Sequence, residues 1–325
     1  MHTTPSPDSN LHTNPCASPY QPRRHARSEF LPLRGLRHHL NHWGEPSASC
    51  PTPWVMVHGW MDVGASFQFV VDALDAQGIS PWVVAPDWQG FGQTDSGGAD
   101  CFWFQDYLAD LDAILDHLSP NAPVNLLGHS MGGNVTMVYA GIRPERVQRL
   151  VNLEGFGLPA TIPAQAPGRL TQWLNELQAL RQGGKDLKTY ASAEAVAARL
   201  TKTNPRLSAD KALWLAHHWA EPDEQGQWHI RGEAAHKLVN PMLYRVEENL
   251  ACWARIAAPV LAVEASHTNL AQWWQNRYTL DEYHQRLNAV PQVQTAVIQD
   301  AGHMLHHDQP EQLATLLHTF LAPTA

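Results

Sequence analysis

Val124-Asn125-Leu126-Leu127-Gly128-His129-Ser130-Met131-Gly132-Gly133 decides how this chain folds. Val124–Leu127 is a short apolar run that suits a strand buried on both faces. Gly128 follows at once, and from Gly132 to Ile142 small and apolar residues recur as in a helix. A strand that turns into a helix within three residues leaves no room for side chains two positions either side of Ser130. That explains glycine at both places. By chance alone, Gly-x-Ser-x-Gly arises about 0.1 times in a chain of this length. Placed between a strand and a helix, the pattern exposes one serine hydroxyl above the edge of a sheet.

The same alternation runs outward in both directions. Trp54–Val57, Trp82–Ala85, Val147–Leu153, Pro259–Val263 and Val293–Ile298 read as strands. Between them lie amphipathic stretches such as Tyr107–Leu118 and, after Ser66 as a helix cap, Phe67–Leu74. The last helix runs from about Pro310 to Leu321. Strands alternating with helices predict an α/β fold: a mostly parallel sheet covered by helices on both faces. Between about Gly157 and Ala251 the pattern has helices but no strand. Leu170–Leu180, Ala193–Leu200 and Leu213–Trp219 carry the apolar spacing. Roughly 90 residues exceed any ordinary loop, so they form an insertion. The expected organisation is a disordered tail over 1–28, a core formed by 29–157 and 252–325, and a helical cap over 158–251. The tail is rich in Pro, Ser, Thr and Asn and has almost no periodic apolar residues.

Composition narrows the partners. The chain has 325 residues, 44% of them hydrophobic and 16% charged, enough apolar material for a sizeable core. Twenty-two Lys and Arg against 31 Asp and Glu give a net charge of −9 with no basic block. That argues against nucleic acid and against anionic lipid as partners. No apolar run approaches a membrane span, and the N-terminus has no apolar signal region. Cys16, Cys50, Cys101 and Cys252 are scattered without a Cys-x-x-Cys pair, which fits a reduced, cytoplasmic protein. Nothing in the sequence sets an oligomeric state.

Serine is a poor nucleophile until a base takes its proton. His303, in Asp300-Ala301-Gly302-His303 after the final strand, is placed to reach back over the sheet edge. His306 and His307 are neighbours expected at the surface or in support. A metal set of His303, His306, His307 and Asp308 lacks a remote ligand cluster, so no metal is expected. The acid that orients the imidazole has three candidates in the order Ser, acid, His. Glu154 ends the strand Val147–Leu153, Glu264 ends the next strand, and Asp300 lies closer to the histidine. A carboxylate at the end of a buried strand needs a partner. The backbone N–H of Met131 points toward a developing oxyanion, and that of Trp60, in His58-Gly59-Trp60, is the second candidate donor. The Trp60 indole is a candidate lining for an acyl pocket. Pro86-Asp87-Trp88-Gln89-Gly90-Phe91-Gly92 lacks the Gly-Lys-Ser/Thr of a phosphate cradle, so Asp87 is read as a turn-holding residue. Trp173, Trp214, Trp219 and Trp228 lie in the insertion and suggest an aromatic entrance.

Together these motifs resemble the α/β-hydrolase superfamily over essentially all of residues 30–325. His58-Gly59-Trp60-Met61-Asp62 with Ser66-Phe67 looks like its serine hydrolase-like branch. The resemblance implies Ser130 as nucleophile, His303 as base, Trp60 and Met131 as oxyanion donors, no cofactor, and a cap over the site. Most relatives place an Asp after the strand matching Pro259–Val263. Here that place holds Ser266-His267-Thr268-Asn269, with no carboxylate. Certain haloalkane dehalogenases put the acid after the preceding strand, where Glu154 stands, so Glu154 is the expected triad acid. Those enzymes and the epoxide hydrolases use Asp as nucleophile, so Ser130 argues against both chemistries. The implied activity is hydrolysis of a small-molecule ester or related acyl compound. C–C bond hydrolysis and a silent ligand-binding role are the alternatives.

Overall fold

The computed structural model describes residues 19–321. Strands β1 (Arg27–Leu33) and β2 (Leu36–Trp43) form an antiparallel hairpin ahead of β3 (Trp54–Val57), α1 (Gln68–Ala76) and β4 (Val83–Pro86). Helix α2 (Phe104–Leu118), β5 (Val124–His129), α3 (Met131–Ile142) and β6 (Val147–Leu153) follow. The insertion holds α4 (Ala166–Arg181), β7 (Thr189–Tyr190), α5 (Ala193–Thr203), α6 (Ala209–Trp219), β8 (Ala220–Pro222) and β9 (Trp228–Ile230). The chain closes with α7 (Val246–Trp253), β10 (Val260–Ala265), α8 (Leu270–Trp273), α9 (Leu280–Leu287), β11 (Val293–Ile298), α10 (Leu305–Asp308) and α11 (Pro310–Leu321).

Eight strands form one sheet in the order β1-β2-β4-β3-β5-β6-β10-β11, parallel from β4 onward. All four residues of β3 are buried, because successive side chains enter opposite layers. Val55 and Val57 join Leu126, Leu150 and Val260 against α2, α3, α7 and α9. Trp54 and Met56 join Leu127, Val151 and Val263 against α1 and α11. The chain reverses its direction of winding beside β3, so the loops after β3 and β5 meet over the same edge.

Four expectations change, and one element was not foreseen. The N-terminal hairpin was not legible because β2 buries His38, His39, Asn41 and His42, which breaks its apolar pattern. Of the expected tail over 1–28, residues 1–18 lie outside the described residues, and the rest is tied to the core by hydrogen bonds. Tyr20 donates to Asp72 at 2.5 Å, the Arg24 guanidinium caps the Pro81 carbonyl, and β1 begins at Arg27. The insertion is not purely helical: β7, β9 and β8 form a small antiparallel sheet whose strands of two or three residues are too short to show a period. Ser66 caps no helix. It lies within a 3-10 turn, Gly64–Phe67, and its hydroxyl donates to Asp62 instead. Helix α7 packs on α3, so the chain rejoins the core at Val246.

Candidate active site

Ser130 stands between β5 and α3 with φ 52° and ψ −113°, a left-handed conformation that costs a non-glycine residue about 1–3 kcal/mol. Its amide donates to the Leu153 carbonyl of β6 at 2.8 Å, which holds the strained turn against the sheet. Crowding explains the flanking glycines. A Cβ at Gly128 would lie 2.4 Å from the Gly132 carbonyl oxygen, and one at Gly132 would lie 2.4 Å from that of Val57.

His303 reaches this serine from the loop after β11. Its Nε2 lies 2.9 Å from Ser130 Oγ, and its Nδ1 lies 3.2 Å from Glu154 Oε2. A carboxylate only accepts, so Nδ1 carries the hydrogen and the Nε2 lone pair faces the serine hydroxyl. Glu154 is buried at the end of β6, with φ 55° turning its side chain beneath the end of β10. Two further donors satisfy it: the Ala265 amide at 2.7 Å and the Thr268 hydroxyl at 2.5 Å. The segment that lacks the usual carboxylate thus supplies a hydroxyl to a carboxylate on the neighbouring strand. Glu264 is not part of this chain of bonds, since its Oε1 meets His284 Nε2 at 2.6 Å. Asp300 is exposed and lies near Arg206 and His267.

The loop after β3 closes the other side. A Cβ at Gly59 would come within 3.1 Å of Ser130 Cβ, so this loop lies directly against the serine. As the first residue of α3, Met131 has an amide without an intrahelical acceptor, and no acceptor among the described residues takes the Trp60 amide. His58 braces the loop: its Nδ1–H donates to the Gly59 carbonyl, and its Nε2 accepts from the Trp88 amide at 3.0 Å. Asp87 holds the next turn by accepting from the Gly64 and Gln93 amides and from His39 Nδ1. Burial opposes its charge, but these donors and the His39 and His58 rings hold its carboxyl below the usual range.

The aromatic rim differs from expectation. Trp214 packs on Tyr20 and Phe69, Trp228 on His217, and Trp219 donates to Asp62, so these three serve packing inside and beneath the cap. The rings near the serine and histidine are Trp60, 51% exposed, and Trp273, whose centroid lies 4.8 Å from that of His303. The Trp60 indole donates to the His236 carbonyl of the cap and so does not line a buried pocket. His236 is stacked between Phe91 and Phe102, both 3.7 Å away, and burial pushes its pKa down to about 3.

His306 and His307 are buried, not at the surface. Each faces Ser66, with Nε2 3.3 Å and 2.5 Å from its hydroxyl oxygen. Asp308 accepts from the Gly302 amide and from Asn204 of the cap, so it ties the histidine loop to the insertion. The network of Asp62, Ser66, His129, His306 and His307 was missed by sequence reasoning. Its one local signal is the i, i+4 spacing of Asp62 and Ser66.

The family described as the alpha/beta hydrolase fold matches residues 52–310. A serine hydrolase-like protein of Danio rerio is 26% identical over 309 residues, covering 92% of this chain and 90% of that protein. Among solved structures, a hypothetical protein from Pseudomonas aeruginosa PAO1 is 26% identical with a TM-score of 0.75, covering 91% and 98% of the two chains. The thioesterase domain from the curacin biosynthetic pathway superposes with a TM-score of 0.77 at 24% identity, covering 90% and 99%. This chain belongs to the α/β-hydrolase family.

Proposed function

We propose that this protein is a serine hydrolase that cleaves an ester or related acyl compound through an acyl-enzyme. The observation that carries the reading is the continuous line from Ser130 Oγ through His303 to Glu154, at 2.9 Å and 3.2 Å. In this reading His303 Nε2 takes the Ser130 proton as Oγ attacks the substrate carbonyl. Glu154 steadies the imidazolium that forms. The amides of Trp60 and Met131 donate to the oxyanion. His303 then protonates the leaving group, and a water activated by the same nitrogen releases the acid and frees Ser130. The printed names of the relatives support hydrolysis, and the serine supports the acyl route.

A fluorophosphonate probe and a short p-nitrophenyl ester test it on the full chain. Wild-type protein should label at one serine and turn over the ester. Ser130→Ala should abolish labelling and lower turnover by about 10³-fold or more. Near wild-type labelling or turnover in Ser130→Ala would overturn the mechanism. A well-folded wild type that neither labels nor turns over any acyl ester would point to a binding protein on this scaffold.

A further inference from the structure

Behind the serine, on the side away from the solvent, three buried side chains converge: Asp62 from the loop before α1, His129 from the end of β5 and His306 from α10. One ligand atom from each lies within 4.8 Å of the other two. Their residues are 4%, 1% and 0% exposed.

The hydrogen bonding leaves this spot rich in lone pairs. His129 Nε2 lies 2.8 Å from the His303 carbonyl oxygen, which only accepts, so Nε2 carries the hydrogen and Nδ1 is bare. Among the described residues, Nδ1 of His129 has no partner, and neither has Nδ1 of His306. The Ser66 hydroxyl gives its one hydrogen to Asp62 Oδ2, so toward His306 and His307 it can only accept. Trp219 Nε1 donates to Asp62 Oδ1, which leaves the carboxylate held but still charged. His306 Nε2 and Asp62 Oδ2 are 3.8 Å apart, too far for a hydrogen bond. Unpaired buried nitrogens beside a buried carboxylate are costly, about 1–3 kcal/mol for each orphaned atom. A small cation gives both bare nitrogens a partner, and the Asp62 carboxylate balances its charge.

We propose that Asp62, His129 and His306 form a binding site for one divalent transition-metal ion of the zinc class. Two imidazoles and one carboxylate are a ligand set zinc accepts, with bonds of about 2.0–2.2 Å. Ligands on one tetrahedral ion stand about 3.3 Å apart, so closure needs movements of about an ångström. The ion lies off the reaction path. It couples to it through His129, whose Nε2–H holds the His303 carbonyl. Occupancy therefore stiffens or shifts the histidine loop, which makes the site regulatory or structural.

The test reads binding without turnover, so it stands apart from the proposed esterase activity. Full-length protein is stripped with chelator, dialysed and titrated with Co²⁺, then with Zn²⁺. One equivalent of Co²⁺ should produce the intense visible bands of a tetrahedral site, and Zn²⁺ should displace it. Asp62→Asn and His306→Gln should each weaken binding by more than about 100-fold, beyond what loss of a supporting bond alone costs. His229→Gln, at an exposed pair with Asp223, should bind as wild type does. If either core variant fails to fold, the wild-type spectrum still decides. Weak octahedral bands, several loose equivalents or no uptake at all would overturn the proposal, as would tight binding that survives in folded Asp62→Asn and His306→Gln.

Discussion

Removing the charge at Glu154 alone should disable the imidazole, because nothing else among the described residues meets His303 Nδ1. Glu154→Gln keeps the shape and the contact to Ala265, yet loses the acceptor that sets the ring's tautomer. Ester turnover should fall by about 10³- to 10⁴-fold, measured at unchanged thermal stability. Glu264→Gln should leave turnover within a few-fold, since that carboxylate holds only the half-exposed His284. Equal losses in the two variants would move the acid out of Glu154. At this scale the sequence was partly legible. Ser130 and His303 stand out by motif and chain order, whereas Glu154 and Glu264 occupy equivalent strand ends and differ only in where β10 and β11 place their neighbours.

At the scale of elements, the elbow works because β5 and α3 approach without side chains between them. Gly132→Ala forces a methyl to within 2.4 Å of the Val57 carbonyl, a backbone atom that cannot swing aside. A destabilisation of about 1–3 kcal/mol is expected by urea unfolding, with reduced probe labelling at Ser130. The tryptophans divide by element. Trp214 of α6 sits among Tyr20, Phe69 and His218, so Trp214→Leu should lower stability and leave the ranking of acyl substrates unchanged. Trp273, at the end of α8 beside His303, should do the reverse: Trp273→Leu should reorder substrates with little loss of stability, since it is 45% exposed. A ranking that responds to Trp214 and ignores Trp273 would return the entrance to the cap. The spacing of the cap helices was readable. Which face of each was covered was not: α4 buries Leu177 but leaves Leu170 and Leu174 exposed, although all three share its apolar period.

For the whole molecule, buried histidines set the response to acid. Burial pushes His42 and His218 down to about 4 and His236 to about 3. In the unfolded chain such groups titrate near 6.5. Between those values the unfolded state holds more protons, so stability is complete above about pH 6.5 and is lost as the pH falls toward 4. Each group costs up to about 2 kcal/mol by pH 5. The urea midpoint should therefore drop clearly from pH 7 to pH 5, and less so in His236→Gln. A midpoint that stays level over that interval would mean that these rings protonate within the fold. No helix among the described residues is long and apolar enough to cross a membrane.

The sequence by itself determined the parallel sheet, its helical cover, the serine turn and the histidine loop. Those features rest on local physics: a period of two or of 3.6, a run of apolar residues buried on both faces, and glycine where a Cβ has no room. Tertiary structure alone decided the rest. Glu154 is held beside His303 by the Ala265 amide at the end of β10 and the Thr268 hydroxyl of the loop that follows, more than a hundred residues later. The polar strand β2 is a sheet member because Glu29 and Asp87 bind its histidines, not because of any apolar pattern. His306 and His307 look like surface residues in their own segment. They are buried because Ser66, some 240 positions earlier, arrives with the matching acceptor. Polar burial depends on partners brought from afar, and no local period encodes them.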